Sequence, residues 1–180
     1  MLIMNKDYDL NGKTVLLIGS GNDLDGRGMG ECIDAGEYDI VARVNKPYGS
    51  PADVGTRTDI IFVRHVEWVN FFWQRQQRMT ERPARVVAFH DGINCPRGFD
   101  AAVREELQLP AAKASSGLCA VRWLLERGAK VTIIGFGYKG GAWPAAKVYA
   151  QTGAVDENPN FDWAAEQAFY ASSADVTLLD

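Results

Sequence analysis

The sequence is poor in cysteine, and its three cysteines lie far apart. Cys32, Cys95 and Cys119 form an odd-numbered, widely spaced set, which indicates neither a disulfide framework nor a zinc-binding pattern. Unpaired cysteines are usual in reducing compartments. We therefore expect a cytoplasmic protein.

The 180-residue chain also has no membrane-length apolar run and no excess of basic residues, and we expect no export signal. A membrane helix needs roughly 20 apolar residues, and the first 13 residues carry charges where a signal peptide would be apolar. The net charge is −4 and the pI is near 5.2, whereas generic nucleic-acid binders are usually basic. Because the sequence has no repeats and no long linker, it predicts a single domain over residues 1–180. We also expect no membrane among the protein's binding partners.

Short apolar segments rich in β-forming residues alternate with helical patterns. The predicted strands are Thr14–Ile18, Asp39–Val44, Asp59–Val63, Arg85–Phe89, Lys130–Phe136 and Val176–Leu179. The predicted helices are Met29–Ala35, Val66–Arg78, Asp100–Gln108 with an Asp cap, Ser115–Arg127 ended by Gly128, and Trp163–Tyr170. This alternation, with continuously apolar strands, predicts an α/β fold of three layers: a mostly parallel, Rossmann-like sheet with helices on both faces. Such sheets bind ligands beyond the carboxyl ends of their strands.

A glycine-rich segment, residues 19–30, follows the first strand and enters the first helix. Glycines there let a phosphate approach the backbone, and the helix N-terminus supplies amides. A dinucleotide-binding loop would have Gly or Ala where Leu24 stands, and an acidic residue where Arg43 and Asn45 end the second strand. No P-loop lysine follows either. The loop therefore favours a nucleotide ligand other than NAD or ATP, and the alternative is a turn without a ligand.

The same region resembles the long sialylmotif of the sialyltransferase-like glycosyltransferase family. The matching pieces, in order, are the glycine loop, Gly28–Asp34, Arg43-Val44-Asn45 and Asp53–Thr58. A second region, Ser115-Ser116-Gly117 with its helix and then residues 131–137, is similar to the short sialylmotif. Together the two cover a little under half of the chain, and they suggest a divergent, minimal member of the family.

The resemblance implies a nucleotide-sugar donor, CMP-linked or similar, as substrate, with no metal and no separate cofactor. It places the donor's ribose and phosphate against the glycine loop and Asn45, puts a phosphate in the serine turn, and sets the base beside the second glycine turn. Asp53, Gly55 and Arg57 would hold their loop in shape, with the alternative that Arg57 meets an anionic group. The implied donor-binding residues are Gly19, Ser20, Gly21, Asn22, Asn45, Ser115, Ser116, Gly117, Gly135, Phe136, Gly137 and Lys147.

Three departures from the family pattern bear on chemistry. Ser20 stands where the family has Asn, the cysteine pair that usually links the two motifs is missing, and no histidine follows His90. The family uses two late histidines, one near the phosphate and one as general base. Lys147 is a chemically reasonable cation in place of the first. The missing cysteine pair and anchor suggest a prokaryotic or viral source.

The general base must therefore come from elsewhere. His90 and His65 each follow a predicted strand on the ligand side, and Asp162 and Glu166 lie one helical turn apart. We select His90 or Asp162 as the catalytic base. The alternatives are structural histidines and a solvated helix face.

An aromatic and basic segment, residues 68–85, has a separate pattern. Its arginines at 75, 78 and 82 share one helical face. Four aromatic residues precede them in the sequence: Trp68, Phe71, Phe72 and Trp73. The segment is either an amphipathic helix or a platform for an anionic acceptor, such as an acidic glycan or modified DNA.

The leading hypothesis is transfer of a sugar, sialic acid-like or other, from the nucleotide donor to an unknown acceptor hydroxyl. The alternatives are a non-catalytic nucleotide-binding module, which the missing late histidines favour, and a hydrolase of nucleotide-sugars or nucleosides. The sequence leaves the acceptor, the sugar and the oligomeric state open.

Overall fold

The computed structural model describes residues 9–21, 24–45, 50–67, 85–109, 114–136 and 163–179. Its centre is a six-stranded sheet in the order β4-β3-β2-β1-β5-β6. Every neighbouring pair of strands is parallel. The strands are β1 (Thr14–Ile18), β2 (Ile40–Val44), β3 (Ile60–Val63), β4 (Arg85–Ala88), β5 (Lys130–Ile134) and β6 (Val176–Leu178).

Five helices are described around this sheet. They are α1 (Gly30–Asp34), α2 (Pro51–Val54), α3 (Phe99–Glu106), α4 (Ser116–Leu125) and α5 (Trp163–Ser172). In the described part of the chain, none of the helices has both the length and the apolar character needed to cross a bilayer.

Successive residues of a strand point to opposite faces, and both faces of this sheet are covered. On one face, Val15 and Leu17 of β1 belong to the same buried cluster as Leu118 and Val121 of α4. On the other face, Leu16 and Ile18 cluster with Ile33 of α1 and Val54 of α2. Burial on both faces explains why β1 carries only apolar residues after Thr14.

The predicted fold class is therefore confirmed: a parallel sheet lies between two layers of helices. All six predicted strands are present, each with boundaries within two residues of those expected. Of the predicted helix from Val66 to Arg78, only the first two residues are described. The rest of that prediction lies outside the described residues.

The predicted Asp cap is wrong. Gly98, in a left-handed conformation at φ 77°, precedes α3, and Asp100 is that helix's second residue. Without a Cβ, Gly98 adopts this conformation at little cost, so the chain enters the helix without a side-chain cap. The predicted role of Gly128 is confirmed: it has a left-handed φ of 74°, its amide donates to the Leu125 carbonyl oxygen at 3.0 Å, and the Ala129 amide donates to that of Leu124 at 3.2 Å, which together close the C-terminus of α4.

Candidate functional site

The strand order reverses beside β1, which sets the position of the candidate site. The chain builds β2, β3 and β4 on one side of β1 and then returns to place β5 on the other side. The last residues of β1 and β5, Ile18 and Ile134, are paired at this point, and we call the carboxyl edge of the sheet beside them the glycine crevice. In parallel α/β sheets, ligands bind at such a switch point.

Glycines line both sides of that crevice. The Gly19 amide donates to the Ile134 carbonyl oxygen at 2.8 Å, and the Gly21 amide donates to that of Gly135 at 2.6 Å. Gly135 has a φ of +71°, a conformation that side chains disfavour. A Cβ at Gly19 would collide with the Gly135 carbonyl oxygen. The close approach of the two turns therefore requires glycine at position 19.

The ring of Phe136 joins this glycine turn to the N-terminus of α4. A Cβ at Gly19 would lie 2.7 Å from Phe136 Cδ2, and one at Gly117 would lie 2.6 Å from Phe136 Cε1. The two glycines thus flank opposite edges of one half-buried ring. Two turns almost a hundred residues apart in sequence meet at this point.

Helix α4 begins at this meeting point, with Ser115 as its N-cap. The Ser115 hydroxyl accepts a hydrogen bond from the Leu118 amide at 3.0 Å. It also donates to Glu166 Oε2 at 2.5 Å, while the Ser115 amide donates to Glu166 Oε1 at 2.9 Å. The Ser115 side chain is thereby engaged within the protein. The first amides inside the helix, those of Ser116 and Gly117, are ones for which a helix has no intrahelical acceptor.

The sequence left open that Glu166 lies on a solvated helix face, and the structure shows instead that it is buried. It is only 1% exposed, and the Tyr170 hydroxyl lies 3.4 Å from its Oε2. A carboxylate this deeply buried needs several hydrogen-bond donors, and the N-cap of α4 supplies two of them. Sequence periodicity could not reveal this role, because the donors lie 51 positions away.

Ser20 and Asn45 extend the crevice toward β2. The Ser20 hydroxyl donates to the Val44 carbonyl oxygen at 3.1 Å, and the Asn45 amide donates to the Phe62 carbonyl oxygen at 2.8 Å. Asn45 has a φ of 56°, which is uncommon for a residue other than glycine. The end of β2 therefore turns sharply beside the glycine loop.

The remaining polar residues of the long motif stabilise the loops behind the crevice. Asp34 accepts hydrogen bonds from the Thr56 and Arg57 amides at 2.8 Å each. Asp53 accepts one from the Gly28 amide at 3.0 Å, and Arg57 Nε lies 3.0 Å from Asp59 Oδ2. These contacts agree with the predicted loop-holding role of Asp53 and Arg57.

Arg43 is a charged residue in a buried position, which its sequence context did not predict. Its side chain is fully buried and donates to the Val54 carbonyl oxygen at 2.7 Å and the Thr58 hydroxyl at 2.8 Å. Burial lowers its pKa to about 10, against the opposing effect of the Asp34 charge. Among the described residues, no hydrogen-bond partner lies within reach of Arg43 Nη1.

His90 and His65 lie at the same carboxyl edge, beyond β4 and β3. Their ring centroids are 4.5 Å apart. With strands about 4.8 Å apart, β4 stands about 14 Å from β1. His90 therefore shares the edge of the sheet with the glycine crevice but does not border it.

The three cysteines are free thiols. Burial raises the pKa of Cys95 to about 11 and raises that of Cys119 further, while Cys32 is exposed. Raised pKa values make Cys95 and Cys119 poor nucleophiles.

Several predicted positions lie outside the described residues. They are Asn22, Gly137, Lys147, Asp162 and the aromatic and basic segment up to position 84. Their roles stay predictions.

The geometry defines a class: parallel α/β sheets whose strand order reverses beside the first strand. No protein-family model matches the chain, and no curated protein sequence matches it. Solved structures do match. A mammalian sialyltransferase is similar with a TM-score of 0.58 and 19% identity, covering 93% of this chain and 69% of the other. A mammalian sialyltransferase in complex with Gal-beta-1-3GalNAc-ortho-nitrophenol gives a TM-score of 0.57 and 18% identity over the same shares. At this identity the likeness establishes a sialyltransferase-like fold.

Proposed function

We propose that this protein is a glycosyltransferase that moves a sugar from a CMP-linked or similar nucleotide donor to an acceptor hydroxyl. The observation that carries the proposal is the meeting of the Gly19 turn and the Ser116-Gly117 turn on the Phe136 ring. The second turn presents the first amides of α4 at the carboxyl edge of a sialyltransferase-like sheet, and the Gly19 turn lies beside them across the Phe136 ring. The solved structures of similar fold support the same class of activity.

The donor's phosphate would bind at the start of α4. There the Ser116 and Gly117 amides and the helix dipole both favour an anion. Because the Ser115 hydroxyl is engaged with Glu166 and Leu118, Ser115 supports this turn rather than binding phosphate through its side chain. Lys147 is the proposed additional cation.

The nucleoside would extend from there across the crevice. Gly135, Phe136 and Gly137 would lie beside the base. The ribose would lie against the Gly19 loop, including Asn22, and against Asn45. The transferred sugar would then lie over β2 and β3, toward the histidines. No separate cofactor is needed, because the nucleotide donor itself supplies the leaving group.

Binding of CMP is the first test. CMP at a hundredfold excess over its dissociation constant should stabilise the protein by about 2.7 kcal/mol, visible as a raised melting temperature. Gly19→Ala should abolish this shift, because its Cβ would collide with the Gly135 carbonyl oxygen and the Phe136 ring and push that turn away. Gly26→Ala controls for backbone strain alone, because Gly26 lies in the same glycine-rich segment with a φ of +76° but with open space around it. It should lower stability without removing the shift caused by CMP. If calorimetry detects no binding of any cytidine or uridine phosphate, the proposal is wrong.

Turnover is the second test. The protein is incubated with CMP-sialic acid and other sugar nucleotides, with and without glycan and modified-DNA acceptors, while CMP release is followed. Acceptor-dependent release supports transfer, and acceptor-independent release indicates a hydrolase. Tight binding without release would instead identify a non-catalytic nucleotide-binding module.

The proposal includes a cytoplasmic location. Its support is the set of three free thiols, which suits a reducing compartment.

A further inference from the structure

A carboxylate and two imidazoles form a cluster at the ends of β3 and β4. His65 follows β3, and His90 and Asp91 follow β4. The His90 amide donates to the Arg64 carbonyl oxygen at 2.9 Å, which holds the two strand ends together. The two rings are tilted by 55° and are 4.5 Å apart between centroids.

Asp91 is oriented so that one of its oxygens faces His65. Asp91 Oδ2 accepts a hydrogen bond from the Val66 amide at 2.5 Å, and this contact fixes the carboxylate. The other oxygen, Oδ1, lies 3.6 Å from His65 Nδ1. A carboxylate beside Nδ1 favours a proton on that nitrogen, so Nε2 keeps its lone pair. Imidazole in this tautomer is suited to accept a proton through Nε2.

In the described part of the chain, His90 has no carboxylate beside its ring that could orient it. Among the described residues, no carboxylate lies within ion-pair distance of its ring, whereas His65 has Asp91. His90 instead packs its ring against that of His65. The two histidines thus differ in their ability to act as an oriented base.

The cluster is attached to the proposed phosphate turn through Arg64. Arg64 Nη2 donates to the carbonyl oxygen of Ala114, the residue before the N-cap Ser115, at 2.7 Å. It also lies 3.6 Å from Asp100 Oδ2. The position of His65 is therefore fixed relative to the start of α4. Since β3 is two strands from β1, His65 stands about 10 Å along the edge from the glycine crevice, where the donor's sugar would end.

We propose that His65, oriented by Asp91, is the general base of the transfer reaction, in place of His90. The inference rests on the proposed function. In the step, the acceptor oxygen forms a bond to the anomeric carbon of the donor sugar as the bond from that carbon to the phosphate oxygen breaks. The acceptor proton passes to His65 Nε2, and the nucleoside monophosphate leaves with the electron pair. Asp91 is a positioning residue that acts through His65 Nδ1.

The tautomer can be tested without any substrate. The chain has two histidines, so a nitrogen-15 NMR spectrum of histidine-labelled protein contains two imidazole systems, and His65→Gln assigns them. We expect neutral His65 to carry its proton on Nδ1. In Asp91→Asn, which keeps an acceptor for the Val66 amide, the proton should move to Nε2. A wild-type His65 with its proton on Nε2 would overturn the proposal.

Kinetics test the catalytic role. His65→Gln should lower the acceptor-dependent rate of CMP release by about 10²–10⁴-fold, with CMP affinity unchanged. Asp91→Asn should give an intermediate loss, and the matched variant His90→Gln a smaller one. Imidazole added to His65→Ala should restore part of the rate, which a merely structural histidine would not allow.

Different results would contradict the role of His65 and the proposed glycosyltransferase function. If the wild type turns over and His65→Gln keeps its rate, His65 is not the base and the proposed function stands. If the wild type binds no CMP and releases none from any donor, the proposed function fails, and the assignment of His65 fails with it.

Discussion

Replacing Glu166 by alanine should destabilise the protein more than any exposed glutamate replacement. Glu166 is 1% exposed and accepts hydrogen bonds from both the amide and the hydroxyl of Ser115. Alanine would leave these two donors without their acceptor in a buried site, since Ser115 itself is 7% exposed.

The expected magnitude follows from those two donors. A buried donor that loses its partner costs about 1–3 kcal/mol, so the pair predicts a loss of about 2–6 kcal/mol in the free energy of unfolding. A domain of this size loses about 2–4 °C of melting temperature per kcal/mol. Urea unfolding measures the first quantity and calorimetry the second. CMP affinity should fall as well, because Ser115 supports the proposed phosphate turn.

Two variants control this prediction. Glu166→Gln keeps one acceptor oxygen and should cost less than Glu166→Ala. Glu126→Ala removes a carboxylate that is 40% exposed and lies 3.7 Å from Arg122, so its effect should stay within about 0.5 kcal/mol. If Glu166→Ala costs no more than Glu126→Ala, Glu166 does not hold the N-cap of α4.

Two further predictions concern acid stability and thiol reactivity. Burial acts to raise the pKa of Asp34, but hydrogen bonds from the Arg57 and Thr56 amides outweigh it and lower the pKa. Its stabilisation is therefore present above the unfolded pKa of about 3.9 and is lost as the pH falls through the lower folded value. Urea unfolding should show Asp34→Asn less stable than the wild type at pH 7, with the gap closing toward pH 2; a constant gap contradicts this. In the native protein, a thiol reagent should modify exposed Cys32 quickly and buried Cys119 only after unfolding, and fast modification of Cys119 would contradict the fold.

Much of the fold follows from local sequence patterns. Strands such as Thr14–Ile18 and Lys130–Ile134 are short, apolar and bounded by polar or glycine residues, so composition alone marks them. Alternation with helices then predicts a parallel sheet. The cap of α3 was not predictable in this way, because Gly98 adopts a backbone conformation that no side-chain pattern marks.

The candidate site was less accessible from sequence. Motif resemblance singled out Gly19, Asn45 and the serine turn, but it assigned Ser115 to phosphate, whereas the structure engages that hydroxyl with Glu166. It also gave no reason to prefer His65 over His90. That preference depends on Asp91, which lies 26 positions away from His65 and faces it across two strand ends.

The sequence by itself determined the sheet, its parallel strands and the glycines at which two turns can approach, because these depend on local backbone preferences and on hydrophobic periodicity. Only the tertiary structure decided that the turns meet on Phe136, that Glu166 is buried against an N-cap and that Asp91 faces a histidine. The physical reason is that these contacts join residues far apart in the chain. Their distances depend on how the strands are ordered and how the helices pack, and no single segment contains that information.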